Sequence, residues 1–141
     1  MSVLLRAVPL MLTLSFLSFA PAASAQDADK AFEPTVGQEG KDVIWVPTPI
    51  VLTERMLDMA KVTPSDFVMD LGSGDGRTVI TAAKRGARAL GVEYNPDMVA
   101  LSRRNAEKEG VAGKASFVKA DLFETDFSKA SVITLALEIS A

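Results

Sequence analysis

Short apolar runs recur along this chain and alternate with longer segments whose apolar residues have helical spacing. The runs lie at residues 67–71, 87–92, 115–118 and 131–137. Runs of this length are typical of strands that are buried on both faces of a parallel sheet. Helical spacing follows at residues 77–85 and 95–110. Strands that alternate with helices in this way predict parallel βαβ units, hence an α/β fold with right-handed crossovers.

The ends of the helices are marked by capping residues. Asn95 is expected to cap the helix that begins with Pro96, and Gly86 and Gly110 follow the predicted helix ends. A further helix is predicted before the first strand, over residues 50–61, with Thr48 as its cap and Pro49 at its first position. Its apolar side is expected to carry Leu52, Met56, Met59 and Ala60.

The first strand leads directly into a glycine-rich turn. Asp70 interrupts the apolar run near its end, and after Leu71 come Gly72, Ser73, Gly74, Asp75 and Gly76. Glycine permits a positive φ and lets a ligand lie against the backbone, and the start of the next helix offers free N–H groups. A structural turn without a ligand is the simpler alternative. In the dinucleotide fingerprint the third glycine comes one residue later, so a nicotinamide or flavin site is a second alternative.

Two further acids follow later strands. Glu93 ends the second strand, 17 residues after Gly76, and an acid at about this spacing commonly accepts hydrogen bonds from a ribose. Asp121 follows the third strand. Ligands bind at the carboxyl ends of parallel strands, so these acids and Asp70 are expected to converge. The alternative for Glu93 and Asp121 is that each is simply a strand-end or turn residue without a ligand. Tyr94, next to Glu93, is either a surface against which a flat base packs or a half-buried surface tyrosine.

Composition excludes several kinds of chemistry. The chain has 141 residues, no cysteine and no histidine. A disulfide framework, a Cys/His zinc site, a cysteine nucleophile and a histidine base are therefore excluded. We expect no bound metal. The net charge is −3 and no basic run is present, so nucleic acid is an unlikely partner.

The amino-terminal residues are typical of a secretory signal peptide over 1–25. Arg6 precedes an apolar run at residues 7–20, and Ala23-Ser24-Ala25 fits a cleavage site. A secreted or periplasmic protein is expected. The alternative is a protein that an uncleaved signal anchors in a membrane, although the run is shorter than the roughly 20 residues of a span. Residues 26–42 are expected to form an exposed, flexible lead-in to a domain at 43–141.

Residues 43–137 resemble the amino-terminal half of class I S-adenosylmethionine-dependent methyltransferases. Residues 70–76 match the family's first motif, Glu93 the acid of its second and Asp121 the acid of its third. The resemblance implies a Rossmann-like three-layer αβα fold with strand order 3-2-1-4. The family's sheet has seven strands, so this chain is expected to be truncated. Its strand 4 would then be an exposed apolar edge, through which the chain could self-associate.

The resemblance also implies a role for each candidate residue. S-adenosyl-L-methionine would be the cofactor, with Asp70 at its methionine amino group and Glu93 at its ribose. The glycines and Ser73 would lie under the methionine and ribose, and Asp121 would accept from the adenine amine. Tyr94 and Leu122 would pack on the adenine. Residues 45–49, including Thr48, either form a lid over the methionine end or simply lead into a helix packed on the sheet.

Three short stretches, residues 46–49, 70–77 and 121–123, are most similar to small protein-lysine methyltransferases related to the ATP synthase c-subunit enzyme. The acceptor would then be a protein lysine amine. No catalytic residue is assigned; Glu138 either contributes to catalysis or is a tail residue. A non-catalytic module that binds an adenosine ligand is the alternative, and an NAD-dependent oxidoreductase is more distant. Export would also separate the protein from a methyl donor made in the cytosol.

Overall fold

The computed structural model describes residues 31–137. In chain order its elements are α1 (Ile50–Met59), β1 (Phe67–Leu71), α2 (Arg77–Lys84), β2 (Arg88–Glu93), α3 (Pro96–Lys108), β3 (Ala115–Lys119) and β4 (Val132–Leu135). The predicted signal peptide and Glu138 lie outside the described residues, and the predictions made for them stay predictions.

The four strands form one parallel sheet in the order β3-β2-β1-β4. This confirms the predicted α/β class and strand order. β1 lies between β2 and β4, and its residues Val68, Met69 and Leu71 are buried. β4 lies at one edge of the described sheet with Ile133 and Leu135 exposed. Self-association through this edge remains a prediction.

The helices and a long connection cover opposite faces of the sheet. Apolar residues of all three helices, such as Leu57, Val79 and Val99, join one core cluster with residues of β1, β2 and β3. A second cluster on the sheet includes Ala120 and Leu122 from the segment that links β3 to β4. Within residues 31–137 the second outer layer is therefore this connecting segment rather than a helix.

Capping of α3 follows the prediction. The Asn95 side-chain oxygen accepts hydrogen bonds from the backbone N–H of Asp97 at 2.9 Å and of Met98 at 3.4 Å, and Pro96 is the first helical residue. Gly86, with φ of 92°, follows α2. The Asn95 cap satisfies two N–H groups at the start of α3 that have no partner within the helix.

Two predictions for α1 are wrong. Pro49 is the N-cap, because its carbonyl accepts from Leu52 and Thr53, and no side chain caps the helix. Thr48 is therefore not the cap. The buried residues are Thr53 and Leu57, whereas the predicted apolar side is turned outward, with Met59 75% exposed.

An ion-pair cluster links α1 to the end of α2. Arg85, at the end of α2, contacts carboxylate oxygens of Glu54 at 2.5 Å and of Asp58 at 2.8 Å. These acids lie one helical turn apart, so they share a face of α1. The shared face contacts the end of α2, while Thr53 and Leu57 are the buried residues of α1.

Part of the predicted flexible lead-in is folded. The backbone N–H of Gly37 donates to the Trp45 carbonyl at 2.8 Å, and the Trp45 N–H donates to the Gln38 carbonyl at 2.9 Å. Glu39 and Ile44 form an antiparallel bridge between them. The predicted boundary between lead-in and domain thus falls inside a hairpin. No helix within residues 31–137 is long and apolar enough to cross a membrane.

Candidate functional site

A cavity of about 300 Å³ opens at the carboxyl ends of β1, β2 and β3, within the size range of small-molecule sites. Of the ten predicted site residues, nine line it: Thr48, Asp70, Gly72, Ser73, Gly74, Glu93, Tyr94, Asp121 and Leu122. The convergence expected from the topology is therefore observed. Gly76 does not line the cavity.

The glycine turn forms the floor of the cavity. Gly72, Gly74 and Gly76 all have positive φ, at 79°, 53° and 84°. Gly76 is needed for packing below the cavity, because a Cβ there would lie 2.8 Å from the Phe117 ring and 2.9 Å from the Ser102 Cβ. Gly72 and Gly74 line the cavity, and a Cβ on either would meet a side chain that also lines it, Leu137 at 2.7 Å and Trp45 at 2.8 Å.

Asp70 is a buried carboxylate at the end of β1. It is 4% exposed, and the Thr134 hydroxyl of β4 donates to its Oδ1 at 2.6 Å. Burial raises the pKa of Asp70 to about 6, even though the hydroxyls of Thr134 and Thr78 favour its charged form. Among residues 31–137 no lysine or arginine forms an ion pair with it. The cavity wall thus holds a carboxylate that lacks a cationic partner.

Glu93 braces the glycine turn and still faces the cavity. Its Oε2 accepts from the Gly74 N–H and its Oε1 from the Asn95 N–H, both at 2.9 Å. A carboxylate has about four acceptor positions, so each oxygen retains the capacity to accept one more donor. Two neighbouring hydroxyl groups of a ligand would match that capacity.

Asp121 is held by two groups. The Phe123 N–H donates to its Oδ1 at 2.9 Å, and the Lys41 ammonium contacts its Oδ2. Both interactions lower the pKa of Asp121. Lys41 also lies 5.1 Å from the centre of the Tyr94 ring, which is 48% exposed. The sequence offered no signal for Lys41, because the two residues of this pair lie in different halves of the chain.

Residues 38–48, which we call the strap, run along the cavity. Trp45 packs so closely on the turn that a Cβ on Gly74 would lie 2.8 Å from its indole nitrogen. The Arg77 guanidinium donates to the Thr48 carbonyl at 2.8 Å and pairs with the Asp75 carboxylate. The strap is thereby fixed over the cavity, which favours the predicted lid over a simple lead into α1.

One buried hydroxyl that lines the cavity, and another in α1, have no hydrogen-bond partner in the described part of the chain. Among residues 31–137, the Ser73 hydroxyl and the Thr53 hydroxyl are buried without a hydrogen bond. The Ser73 hydroxyl lies over Gly91, where a Cβ would come within 2.6 Å of it. Ser73 therefore requires a glycine in β2. No cluster of three or more metal-ligating His, Asp or Glu side chains is found in the described part of the chain.

The family model described as "ANTKMT methyltransferase domain" matches residues 70–139. A protein-lysine N-methyltransferase of Saccharolobus islandicus is 50% identical over 97 residues, which is 67% of this chain and 60% of that protein. The human ATP synthase c-subunit lysine N-methyltransferase is 42% identical over 91 residues, 64% of this chain and 39% of that protein.

Solved structures of methyltransferases are also similar to this chain. An RNA methyltransferase of Salinibacter ruber, in complex with S-adenosyl-L-homocysteine, has a TM-score of 0.63 and 50% identity. The match covers 64% of this chain and 60% of that one. A SAM-dependent methyltransferase of Geobacter sulfurreducens, also with S-adenosyl-L-homocysteine, has a TM-score of 0.52 and 28% identity over 60% of this chain and 35% of its own. This chain thus spans about 60% or less of the length of each of these relatives.

Proposed function

Because this chain resembles the class I S-adenosylmethionine-dependent methyltransferases in both sequence and fold, we propose that it binds S-adenosyl-L-methionine at the carboxyl ends of its strands and transfers the methyl group. We further propose that the acceptor is the side-chain amine of a protein lysine. The relatives named above are methyltransferases and lend no support to a non-catalytic binding module.

Asp70 is the strongest support for this cofactor. A buried carboxylate with only hydroxyl partners is poorly stabilised when charged, and its pKa of about 6 reflects that cost. A ligand that brings an ammonium group to this wall supplies the missing positive charge. The α-amino group of a methionine moiety is such a group, whereas nicotinamide and flavin cofactors have no amino group of this kind.

Glu93 and the glycine turn suit the rest of the ligand. The Glu93 oxygens have acceptor capacity for the two hydroxyls of a ribose, and the Gly74 N–H holds that carboxylate in place. Tyr94 and Leu122 offer an aromatic and an apolar surface to a flat base. Asp121 supplies an acceptor beside them for an exocyclic amine.

The proposed chemistry needs little from the protein beyond alignment. S-adenosyl-L-methionine supplies an electrophilic methyl group on a sulfonium that is already a good leaving group. Asp70, Glu93 and the strap would hold the cofactor in one orientation, so that a deprotonated lysine amine attacks in line with the departing sulfur. The described residues contain no assigned general base, and none is required if the amine arrives neutral.

A lysine acceptor is favoured over RNA by two observations. The relatives that cover most of this chain in sequence comparison are named for lysine methylation. The net charge of −3 disfavours binding to a phosphate backbone and suits a cationic side chain. The Salinibacter ruber protein is named an RNA methyltransferase, so a test of the acceptor must compare protein lysine with RNA.

The cofactor proposal is tested by calorimetric titration of S-adenosyl-L-homocysteine into the full chain. Asp70→Asn and Glu93→Gln should each weaken binding by about tenfold or more, because each removes a charged hydrogen-bond acceptor. Asp97→Asn, an exposed carboxylate at the start of α3, is the matched control and should bind normally. Affinity should also rise as the pH increases through about 6, when Asp70 becomes charged.

Acceptor class is tested with tritiated methyl donor and a mixture of cell proteins and RNA. Label in protein that survives RNase and is recovered as methyllysine would support the proposal. Label only in RNA would replace the lysine acceptor while leaving methyl transfer intact. A folded chain that fails to bind S-adenosyl-L-homocysteine would refute the cofactor assignment itself.

A further inference from the structure

The strap is attached to the rest of the domain at two points of different character. At residue 48 the Arg77 guanidinium donates to a backbone carbonyl, and its other partner is Asp75. At residue 41 the Lys41 ammonium pairs with the side chain of Asp121. The first attachment leaves the three strand-end acids predicted to bind the ligand free, whereas the second uses one of them.

Lys41 contacts both groups that are predicted to receive the base. Its ammonium pairs with Asp121 and lies 5.1 Å from the centre of the Tyr94 ring, within the range of a cation–π interaction. A base that packs on Tyr94 and donates its amine to Asp121 would need the same surface and the same carboxylate. The Phe123 N–H donates to the other carboxylate oxygen, so Lys41 competes with the base for the acceptor positions that remain on Asp121.

The strength of this contact is suited to reversible exchange. The side chains of Lys41 and Asp121 are 37% and 17% exposed, so water and salt screen the pair. Lys41 also lies near a second carboxylate, because a carboxylate oxygen of Asp42 is 3.7 Å from its ammonium nitrogen. A lysine displaced from Asp121 can therefore move towards Asp42 and solvent without being left buried and unpaired.

We propose that Lys41 is a displaceable clasp, which holds the strap over the base end of the pocket and is exchanged for the base when the ligand enters. This inference rests on the proposed function, because it takes adenine as the base. Lys41 is thus a specificity and gating residue: it opposes any ligand that does not replace both its ion pair and its contact with Tyr94. The Arg77 attachment stays in place during the exchange.

Three variants of the full chain separate this role from a general effect of charge. Lys41→Met keeps the length of the side chain and removes the ammonium, whereas Lys41→Arg keeps the charge. Lys119→Met is the matched control: its ammonium lies 5.7 Å from the centre of the Tyr94 ring, but it does not line the pocket and has no ion pair with Asp121.

The readouts are titration with S-adenosyl-L-homocysteine and fluorescence of Trp45, the single tryptophan of the chain. Lys41→Met should bind about two- to fivefold tighter than the wild type at low salt, the range expected for losing a partly exposed ion pair. Its association should be faster, and Trp45 should be more easily quenched before ligand is added. Lys41→Arg and Lys119→Met should resemble the wild type.

Salt provides an independent readout. Raising ionic strength from about 0.01 M to about 0.15 M shortens the Debye length from about 30 Å to about 8 Å. Wild-type affinity should rise relative to that of Lys41→Met, because only the wild type has a clasp to weaken.

Equal or weaker binding by Lys41→Met, when the wild type binds, would overturn the clasp and leave the proposed function standing. An unchanged Trp45 quenching in that variant would also count against it. If neither chain binds S-adenosyl-L-homocysteine although both are folded, the proposed function and the clasp fail together.

Discussion

Replacing Asp70 with asparagine should stabilise the chain at neutral pH in the absence of ligand and at the same time weaken cofactor binding by about tenfold or more. Asp70 is buried and lacks an ion-pair partner within the described residues, so its charge destabilises the folded state. Asparagine retains an oxygen that can accept the hydrogen bond from Thr134. The substitution therefore removes the charge and keeps the principal contact.

The size of the effect follows from the pKa of Asp70. Burial raises it from 3.8 to about 6. The folded chain then binds more protons than the unfolded chain between these values, so the free energy of unfolding falls as the pH rises through this window. At 1.36 kcal/mol per pKa unit, the full cost above about pH 7 is about 3 kcal/mol. Between about pH 5 and about pH 8 the cost grows by about 1.4 kcal/mol.

Urea denaturation of both chains near pH 5 and near pH 8 measures this difference. The stability of Asp70→Asn relative to the wild type should increase by about 1.4 kcal/mol towards the higher pH. Any constant cost of burying an amide in place of a carboxyl cancels in this comparison. Binding of S-adenosyl-L-homocysteine by Asp70→Asn should be weaker than that of the wild type near pH 8, where the wild-type carboxylate is charged.

Asp66→Asn is a control of opposite sign. Hydrogen bonds from the Thr63 N–H and the Ser131 hydroxyl lower the pKa of Asp66, so its carboxylate contributes stability above the unfolded pKa and loses it as the pH falls. Asp66→Asn should therefore be less stable than the wild type by a similar amount near pH 8 and near pH 5, and the difference should shrink only below about pH 4, where the unfolded carboxylate is protonated. A difference between Asp70→Asn and the wild type that does not change with pH would refute the reasoning about Asp70.

Three further substitutions test the turn and the strap. Gly76→Ala should destabilise the chain by about 1–3 kcal/mol, because a Cβ meets the Phe117 ring at 2.8 Å and φ is 84°; an unchanged Tm would contradict this. Arg77→Met should lower affinity for S-adenosyl-L-homocysteine by up to about tenfold, because the charged hydrogen bond to the Thr48 carbonyl is lost, and its urea midpoint should stay close to that of the wild type. Unaltered affinity would show that the position of the strap does not depend on Arg77. Ser102→Ala should cost about 1 kcal/mol of unfolding free energy, since its buried hydroxyl donates to the glycine turn at 2.8 Å, and a stability equal to the wild type would exclude that role.

Some of the fold could be predicted because it depends on local patterns. The strand runs, the positive-φ glycines and the Asn95 cap each act within a few residues, and each is found where it was predicted. Parallel strands in turn place their carboxyl ends together, so the convergence of Asp70, Glu93 and Asp121 followed from topology. Nine of the ten predicted site residues line one cavity for this reason.

The errors occur where distant residues decide the outcome. Apolar spacing alone placed Met59 on the buried side of α1, but Thr53 and Leu57 are the residues that pack against the rest of the domain. Thr48 was expected to cap α1, but its carbonyl accepts from Arg77 and Pro49 is the N-cap. The spacing of apolar residues shows which side chains share a face of a helix. It does not show which face packs against the rest of the protein.

By itself, the amino-acid sequence determined the order of the elements, the glycine turn and the acids that end the strands, because these depend on backbone preferences and on one periodicity at a time. The tertiary structure supplied the partners of those acids. Thr134 reaches Asp70 across the sheet, and Lys41 reaches Asp121 from a hairpin that sequence had assigned to a flexible lead-in. Such pairs join residues 64 and 80 positions apart, and no local pattern carries information over that distance.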